Sequence, residues 1–556
     1  MMFVKKIKRP NGSTTIQIVD NKRVGDKVVQ KVIRHMGQWI TEKEITQIVT
    51  LAESVIIEMK NIVDPVLPGL EDIFHRPQKK MVSTKPDEAM VSVAGLVEES
   101  RIHKGVDDVF GFAFEQLELM DSIATGYKTD ESNAIFKEVV LSRLSGPVSK
   151  RKTALNLEMD KEIKIPLEKI YRMMDKVHDN EERIKKKICD QTLSLFNQKI
   201  DVAFFDVTTL YFESFTPDEL RSSGFSKDNK FKETQVMLAL ITTTEGLPIG
   251  YELFPGNTYE GNTLIRVVEQ IERNYDIANM FIVADRAMFT RSNLDKLSEM
   301  KVKFIVAAKL KTLNKTFKNA ITDEVQEVLK ANPDLEGWTK DFEYEGRRLV
   351  VNYSKKRAHK DEKDRTRLVE RITKKMKNGE VRLSDLINNT GTKKYLKLEK
   401  KGAKTATLND EKILNDSLWD GIHGVITNHN EADLKSEQIL EKYRGLWQIE
   451  AAFRVNKHDL RMRPIFHWVP HRIKAHILIC FVAYSLTTFI KHKLLKKNVK
   501  LSFEKIKDEL NRLQFSIVRD EKSKNRFILP SKLTKNQIEI YTALGLKRDQ
   551  KAKIIL

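Results

Sequence analysis

The sequence predicts an α/β protein in which a sheet-forming middle region lies between mostly helical regions. Three observations lead to this class. The 556 residues exceed what one hydrophobic core usually supports, so we expect three or four domains. A run of β-branched and aromatic residues, DVAFFDVTTLYFES, has the composition of a buried strand. Apolar residues with helical spacing prevail before that run and again towards the carboxyl end.

Residues 201–310 carry the elements of one α/β core in a definite order. After the first strand, two apolar runs on either side of Glu245 and Gly246 predict a hairpin. A helix is predicted over 263–275, and FIVAD, which ends at Asp285, predicts a short strand. This order of strands and helix is typical of a ribonuclease H-like core. We therefore expect residues 201–310 to form the first part of such a core.

Five further regions complete the predicted organisation. They are 1–80, a basic β-hairpin (strands around 15–19 and 28–33) followed by a helix and a linker; 81–200, a helical, candidate DNA-binding region; 311–430, a β-containing insertion; 431–470, the end of the catalytic core; and 471–556, a helical carboxy-terminal region. Within 81–200, Pro147, Ser149 and Pro166 predict helix starts. The two helices that they open are either a helix-turn-helix or an ordinary packed pair.

Charge and cysteine content narrow the classes of function. Lys and Arg number 98 against 78 acidic residues, which gives a net charge of +20. This balance favours a polyanionic partner such as nucleic acid. The two cysteines, Cys189 and Cys480, exclude a disulfide framework or a zinc cluster. The basic start lacks a secretory apolar run, and the apolar segment 475–490 fits a buried helix better than a membrane span. We expect a cytoplasmic protein, associated with the nucleoid when bound to DNA.

Two aspartates stand in apolar strand sequences. Asp206 lies inside AFFDVTTL, and Asp285 ends FIVAD. A bare carboxylate is costly to bury, so each must be exposed, paired or bound to a metal ion. Strand ends in α/β sheets commonly present functional groups. For either acid alone, however, the favoured interpretation is a structural one, as a cap or as a partner of a nearby Arg such as Arg286.

A third acid occurs in the helical sequence YRGLWQIEAAFRVNK. Tyr443, Glu450 and Lys457 follow one another at steps of seven residues, which places them on one stripe of a continuous helix. Trp447 lies one turn before Glu450 on the same side. An ordinary amphipathic helix would fill such a stripe with aliphatic residues. An acid flanked by a phenol, an indole and an amine instead suits a metal site beside a phosphate.

Three acids suit the chemistry of phosphodiester cleavage. Two divalent ions about 3.5–4 Å apart activate an attacking oxygen and stabilise the departing one. Mg²⁺ prefers oxygen ligands and keeps several waters, so two or three carboxylates suffice for a pair of ions. We therefore expect Asp206, Asp285 and Glu450 to hold two Mg²⁺ ions, for which Mn²⁺ can substitute. Without metal the three acids would repel one another.

The sequence resembles the DDE transposases of bacterial insertion sequences, in the insertion-sequence-four-like branch with a Tyr-Arg-Glu-Lys signature. Tyr443, Glu450 and Lys457 match that signature, and Leu446 occupies the position of its Arg. Arg444 lies close by in the sequence and can take over the phosphate contact. The blocks FFDVTTLYFES, GYELFPGNTYEGNT, VADRAMF and WDGIHGVITN also resemble this branch and follow the same order. The resemblance covers roughly residues 200–470.

The resemblance implies a ribonuclease H-like core that is interrupted by a β-rich insertion between Asp285 and Glu450. It implies that these two acids and Asp206 are the catalytic metal ligands. Tyr443 and Lys457 would contact phosphates near the scissile bond. Trp447 would either stack on an unpaired base or pack in the core.

The implied partners are double-stranded DNA, as terminal inverted repeats and as target, and a second copy of the chain. Two element ends need two active sites, so we expect a homodimer or higher oligomer on DNA. The helical region 471–556 is a candidate contact through Ile477, Phe481 and Leu486, which are equally compatible with plain core.

Three other functions remain open at the level of sequence. One is a nuclease of the same fold that cleaves DNA without joining it. Another is a non-catalytic DNA-binding descendant of a transposase, against which the intact set of three acids argues. The third is a structural basic protein, which only the net charge favours.

Overall fold

The computed structural model describes most of the chain. The described residues are 2–10, 13–24, 27–39, 41–42, 44–46, 48–50, 52–53, 56, 93–123, 130–196, 202–212, 216–222, 233–274, 280–288, 290–376, 380–382, 392–397, 405–429, 434–548 and 551–555. Two compact units result from the contacts of the chain, one made of residues 1–85 with Leu556 and one of residues 86–555. The predicted linker after residue 64 lies outside the described residues.

The smaller unit is built on a three-stranded antiparallel sheet in the order β1-β2-β3, with strands Met2–Lys8, Thr14–Val24 and Lys27–Trp39. The predicted hairpin strands lie within β2 and β3, and β1 is an additional strand. Buried Ile16 and Ile18 pack with Ala52 and Ile56 in a small core. The described residues between 42 and 56 are helical, as the apolar spacing predicts.

The larger unit is organised around an eight-stranded mixed sheet. The order is β10-β11-β15-β9-β8-β5-β6-β7, with β5 Val202–Tyr211, β6 Gln235–Thr243, β7 Pro248–Pro255, β8 Phe281–Ala284, β9 Lys303–Ala307, β10 Gly337–Tyr344, β11 Arg347–Ser354 and β15 Ile422–Thr427. Strand β5 runs parallel to β8, and β8 runs parallel to β9. All other neighbouring strands are antiparallel. The predicted hairpin around Gly246 is the β6–β7 pair.

Both faces of this sheet are covered, which explains why its central strands are almost continuously apolar. Alternate residues of β5 enter two different cores. Phe204 belongs to the core that contains the long carboxy-terminal helix, and Phe205 belongs to the core on the opposite face. Asp206 is only half-buried, although its neighbours on both sides along β5 are buried.

Five helices precede the sheet: α1 Gly105–Gln116, α2 Asp130–Ser145, α3 Lys150–Lys161, α4 Leu167–Asp179 and α5 Glu181–Phe196. Helix α3 begins where predicted, with Ser149 as its N-cap, and Pro166 precedes α4. Helix α4 packs against α2 and against the long carboxy-terminal helix through buried residues that include Met173 and Met174. Helix α4 is thus part of a core, and the helix-turn-helix interpretation of α3 and α4 stays a prediction.

The region between β9 and β15 contains both helices and strands. It is preceded by α6 Thr263–Asn274 and α7 Arg291–Glu299, which both lie before β9. Besides β10 and β11, the region itself contains α8 Lys315–Ala331, α9 Lys355–Thr373, β12 Val381–Arg382, β13 Leu396–Lys397, β14 Thr405–Leu408 and α10 Asp410–Ser417. We predicted a β-containing insertion over 311–430. Three of its strands extend the main sheet, because β15 pairs with β9 and β11 pairs with β15.

The carboxy-terminal region was predicted as helical, and this is wrong in part. After β15 come α11 Ser436–Arg444, α12 Trp447–Arg454, α13 Pro470–Lys496, α14 Phe503–Asn511, β16 Gln514–Asp520, β17 Arg526–Pro530, α15 Lys535–Leu544 and β18 Lys553–Ile555. Strand β16 pairs with β4, which spans Leu96–His103 in the region that we predicted as helical. Residues of β4 are exposed or half-buried and none is buried, so they lack the apolar alternation that identifies a strand in the sequence.

Helix α13 is the one described helix that is long and apolar enough to cross a membrane by composition. Its most apolar part is almost entirely buried inside the protein. It packs against α1, α2 and α4, which is the environment of a core helix. Ile477, Phe481 and Leu486 are buried in this core. The alternative in which these three residues form a contact between chains is therefore wrong.

Candidate active site

Asp206 and Asp285 occupy adjacent positions on neighbouring parallel strands. Phe205 of β5 lies opposite Ala284 of β8, and the residue that follows each of them is an aspartate. Strands in a sheet lie about 4.8 Å apart. Phe204 lies two residues before Asp206, and Val283 lies two residues before Asp285. Both belong to the core that contains α13. Because side chains alternate along a strand, both acids are directed towards this face of the sheet.

The local structure keeps both aspartates at the edge of the core. The backbone N–H of Val207 donates to Asp206 Oδ1 at 2.7 Å. Asp285 directly follows β8, and its carbonyl accepts from the N–H of Met288 at 3.0 Å, which opens the short turn Arg286–Met288. Asp285 is half-buried, as Asp206 is. Each carboxylate thus remains accessible from solvent although its strand is buried.

Glu450 lies in the first turn of α12, on the same face of the sheet. Helix α12 contacts β5 and β6, while α11 contacts β8 and β9. Ile449 and Phe453 of α12 enter the core that contains Phe204, whereas Glu450 itself is exposed. The helix that carries the third acid therefore lies over the strand that carries the first.

Gly445 joins α11 to α12 and allows this close approach. A Cβ atom at Gly445 would lie 2.3 Å from Cζ of Phe204, which is fully buried. Any larger residue would have to displace the phenyl ring. The junction thus lies directly over the residue two positions before Asp206, and this fixes the height of α12 above β5.

The prediction of one continuous helix from Tyr443 to Lys457 is wrong. Helix α11 ends at Arg444, α12 begins at Trp447, and a π-helical turn, Val455–Asp459, follows α12. The heptad spacing assumes uninterrupted helical geometry, which neither the Gly445 junction nor the π turn provides. Lys457 lies in the π turn and is half-buried.

The pKa of Tyr443 is affected by two of the three acids. Burial raises its pKa to about 12, and the negative charges of Asp285 and then Glu450 act in the same direction. The positive charges of Arg357 and Arg286 partly oppose this shift. Tyr443 at the end of α11 is therefore close to both Asp285 and Glu450. Its phenol stays protonated at neutral pH and can donate a hydrogen bond to a phosphate oxygen.

Arg357 was not among the residues that we singled out in the sequence. It lies near the start of α9, which follows β11, and β11 runs in the same direction as β8 and β9. The start of α9 is therefore at the edge of the sheet where Asp285 lies. In the sequence Arg357 stands in a long charged run, so nothing distinguishes it there from solvated surface residues.

Leu446, which stands where the signature of the resembled branch has Arg, is a core residue in the structure. Leu446 is buried and packs in the core that contains α13, whereas Arg444 is exposed. His423 at the start of β15 has its pKa lowered to about 4 by burial and then by the charges of Arg357 and Arg444. Arg444 thus lies near Arg357 and can supply the positive charge that Leu446 cannot.

Trp447 is 59% exposed, so the alternative in which it packs in the core is wrong. It begins α12 three residues before Glu450. Exposed indole next to an acid-bearing turn is compatible with stacking on a base, which remains a prediction.

The fold brings the three acids to one face and edge without forming a closed cage. Among the residues that the structure describes, no group of three or more His, Cys, Asp or Glu is placed to hold a metal ion. The carboxylates of Asp206, Asp285 and Glu450 would have to turn towards one another to share ions. Asp206 and Asp285 are on adjacent strands, and Glu450 is on the helix above them.

These features define a carboxylate site on an α/β sheet under a helix that is rich in basic and aromatic neighbours. The family model of the Transposase DDE domain matches residues 197–486, more than half of the chain and the whole of this site. The chain belongs to the DDE transposase family. A comparison with functionally curated proteins found no match.

Solved structures of transposases also show similarity. The piggyBac transposase synaptic complex with hairpin DNA is 11% identical with a TM-score of 0.36, over 73% of this chain and 76% of that one. A pre-cleavage Mos1 transpososome is 14% identical with a TM-score of 0.14, over 32% of this chain and 58% of that one. The Mos1 mariner paired end complex with Mn is also 14% identical, with a TM-score of 0.14, over 35% and 65%. TM-scores this low establish no common arrangement.

Proposed function

We propose that this protein is the transposase of an insertion sequence, which cleaves DNA at the element ends and joins them to target DNA. The observation that carries the proposal is the placement of Asp206 and Asp285 at adjacent register positions beneath the helix of Glu450. The strand order β7-β6-β5-β8-β9, with only β5, β8 and β9 parallel, supports a ribonuclease H-like core. Membership of the DDE transposase family supports the same assignment.

The donor set fits a hard divalent cation. Asp206, Asp285 and Glu450 offer only carboxylate oxygens, which Mg²⁺ and Mn²⁺ prefer, and Mg²⁺ needs few protein ligands because it retains water. A bound pair of ions would activate the attacking oxygen and stabilise the leaving one. Such ions would also reduce the repulsion between three carboxylates on one face of the sheet.

Basic residues around the acids would orient the DNA backbone. Arg286 and Arg357 lie near Tyr443, and Arg444 lies near Arg357 through their common neighbour His423. Arginine binds phosphate through a planar fork, which fixes the direction of the scissile bond relative to the acids. Lys457, half-buried in the π turn, is the further phosphate ligand that we propose.

The proposal is tested by the joining reaction, because a nuclease of the same fold would cleave only. A duplex that reproduces a pre-cleaved element end is incubated with plasmid target, with Mg²⁺, with Mn²⁺ and with chelator. We expect joined product with either metal and none with chelator. Metal-dependent nicking without joining would assign the chain to the nucleases. Binding without nicking would make it a non-catalytic descendant.

Removal of Arg357 or Lys457 is expected to weaken DNA binding through the loss of one phosphate contact each. Arg357→Ala and Lys457→Ala should each reduce the slope of log affinity against log salt by about one unit. Apparent metal affinity should not change. Lys363→Ala, which removes the same charge from an exposed position of α9, is the matched control. A change in Mg²⁺ dependence with an unchanged salt slope would contradict the assignment.

We also propose that the enzyme acts as a dimer or larger oligomer on DNA. Each chain has one Asp206, one Asp285 and one Glu450, so two ends cut together require two chains. The net charge of +20 opposes self-association until phosphates neutralise it. Light scattering should therefore find monomers without DNA and at least two chains in a complex with two ends. One chain that cuts both ends would contradict this proposal.

A further inference from the structure

The segment that follows the catalytic helix exposes aromatic rings in an unusual pattern. From Met462 to Trp468 the chain has no regular secondary structure, and Met462, Ile465 and His467 are buried. The residues between them face outwards, and Phe466 and Trp468 are 60% and 63% exposed. In an ordinary surface segment the outward positions are polar. Here the polar His467 is inside, while the two largest apolar side chains are outside.

The inward side of this segment is firmly held. Arg143 Nη1 donates to the carbonyl oxygens of Leu460 and Arg461 at 3.4 and 3.3 Å. His476 Nε2 donates to the carbonyl oxygen of Met462 at 3.0 Å. The His467 ring packs edge-on against Tyr171, with 6.2 Å between ring centroids. The exposed rings therefore belong to a segment that is held in place by hydrogen bonds from Arg143 and His476 and by the packing of His467.

Two arginines connect this segment to the strand that carries Asp206. The Arg463 guanidinium lies 4.8 Å from the centroid of the Tyr211 ring at the end of β5. The Arg221 guanidinium lies 5.5 Å from the Trp468 ring centroid. Tyr211 is five residues beyond Asp206, or about 17 Å along a strand. This equals roughly five nucleotides of a DNA strand at 3.4 Å each.

Arg221 has donor capacity left over. Its side chain is 7% exposed and its Nε donates to Asp218 Oδ2 at 2.7 Å. Its Nη1 atom is buried and has no hydrogen-bond partner within the described part of the chain. The ion pair with Asp218 fixes the guanidinium next to the Trp468 indole, where its positive charge is attracted by the ring.

We infer that Phe466 and Trp468 form an aromatic platform that stacks on an unpaired DNA base, with the Arg221 guanidinium in contact with the Trp468 ring. The inference rests on the proposed function, because it requires DNA at the carboxylate site. Charge decides the class of ligand. Arg461 is exposed and Arg463 half-buried in the same segment, and cations next to aromatic faces suit single-stranded nucleic acid.

The platform is separate from Trp447, which belongs to α12. Trp447 is three residues from Glu450, whereas the platform follows the π turn and contacts the far end of β5 through Arg463. The two aromatic sites would therefore engage different nucleotides. Preformed aromatic surfaces favour extrusion of a base because they replace part of the stacking energy that is lost.

The test compares two 20-base-pair duplexes of one sequence, of which one carries a single unpaired 2-aminopurine and the other is fully paired. Wild-type protein should bind the bulged duplex about tenfold more tightly, in the range of stacking on one base, and should quench the 2-aminopurine fluorescence. Trp468→Ala and Phe466→Ala should each remove most of this preference while the affinity for the paired duplex stays unchanged. Trp468→Phe should retain it, and Trp468→Leu should not.

Controls separate the platform from its alternatives. Leu414→Ala removes an equally exposed apolar side chain from α10 and should preserve both the preference and the quenching. Equal behaviour of Trp468→Leu and Trp468→Phe would show an apolar contact, such as one to a protein, and would overturn the inference. Loss of the preference only in Trp447→Ala would also overturn it. If wild-type protein bound neither duplex, the proposed function would fail as well; if it bound both equally, the platform alone would fail.

Discussion

Asp206→Ala, Asp285→Ala and Glu450→Ala are each expected to reduce DNA cleavage by about 10³-fold or more, equivalent to roughly 4 kcal/mol of barrier. Each substitution removes one of the three proposed metal ligands, and the described residues of β5, β8 and α12 contain no carboxylate other than Asp206 and Glu450. End binding should persist, because the affinity for DNA comes mainly from basic residues. The measurement is cleavage of a labelled end duplex alongside a gel-shift titration.

Stability provides the control for this result. Asp206→Ala removes only a half-buried carboxylate, so the melting temperature should stay within a few degrees of wild type in the absence of metal. Asp323→Ala removes the same charge from an exposed position of α8 and should leave cleavage unaffected. If a variant kept more than about a tenth of wild-type cleavage, its activation free energy would have risen by less than about 1.4 kcal/mol. The substituted acid would then not belong to the active site.

Gly445→Ala is expected to have the second largest effect. The added Cβ would lie 2.3 Å from Phe204 Cζ, so either the phenyl ring or α12 must move. Overpacking of this kind costs about 1–3 kcal/mol, which exceeds the gain of at most ~1 kcal/mol from replacing Gly in a helical conformation. A displacement of α12 by about 1 Å would shift Glu450 away from Asp206 and should reduce cleavage about 10²-fold.

A double-substitution cycle identifies the cause. Phe204→Leu removes the atoms that Gly445→Ala would contact, so the double variant should recover part of the cleavage and of the melting temperature that Gly445→Ala loses. Gly146→Ala is the matched control, because an added Cβ there meets nothing within 4 Å. If Gly445→Ala had the same activity and melting temperature as Gly146→Ala, the junction would not determine the position of α12.

Several elements could be predicted from the sequence because their signals are local. The apolar runs of β5, β6 and β8 reflect burial on both faces, and the two acids within or after such runs are conspicuous because a carboxylate is costly to bury. The hairpin around Gly246 and the apolar segment in α13 were predicted for the same kind of reason. The burial of Leu446 and the exposure of Trp447 could not be predicted from the local sequence. The two residues are neighbours, and only the tertiary contacts of each one decide which of them is buried.

By itself, the sequence determined which residues carry charge, which runs are apolar enough for a buried sheet, and which three acids have chemistry in common. The tertiary structure alone decided what lies beside them. Strand β4 forms because it pairs with β16, which lies more than 400 residues later in the chain. Arg357 lies near Tyr443 because β11, the strand before it, runs in the same direction as β8 and ends at the same edge of the sheet. The helix around Glu450 is divided because Gly445 must fit over Phe204. Such contacts join distant parts of the chain, and periodicity within a short window contains no information about them.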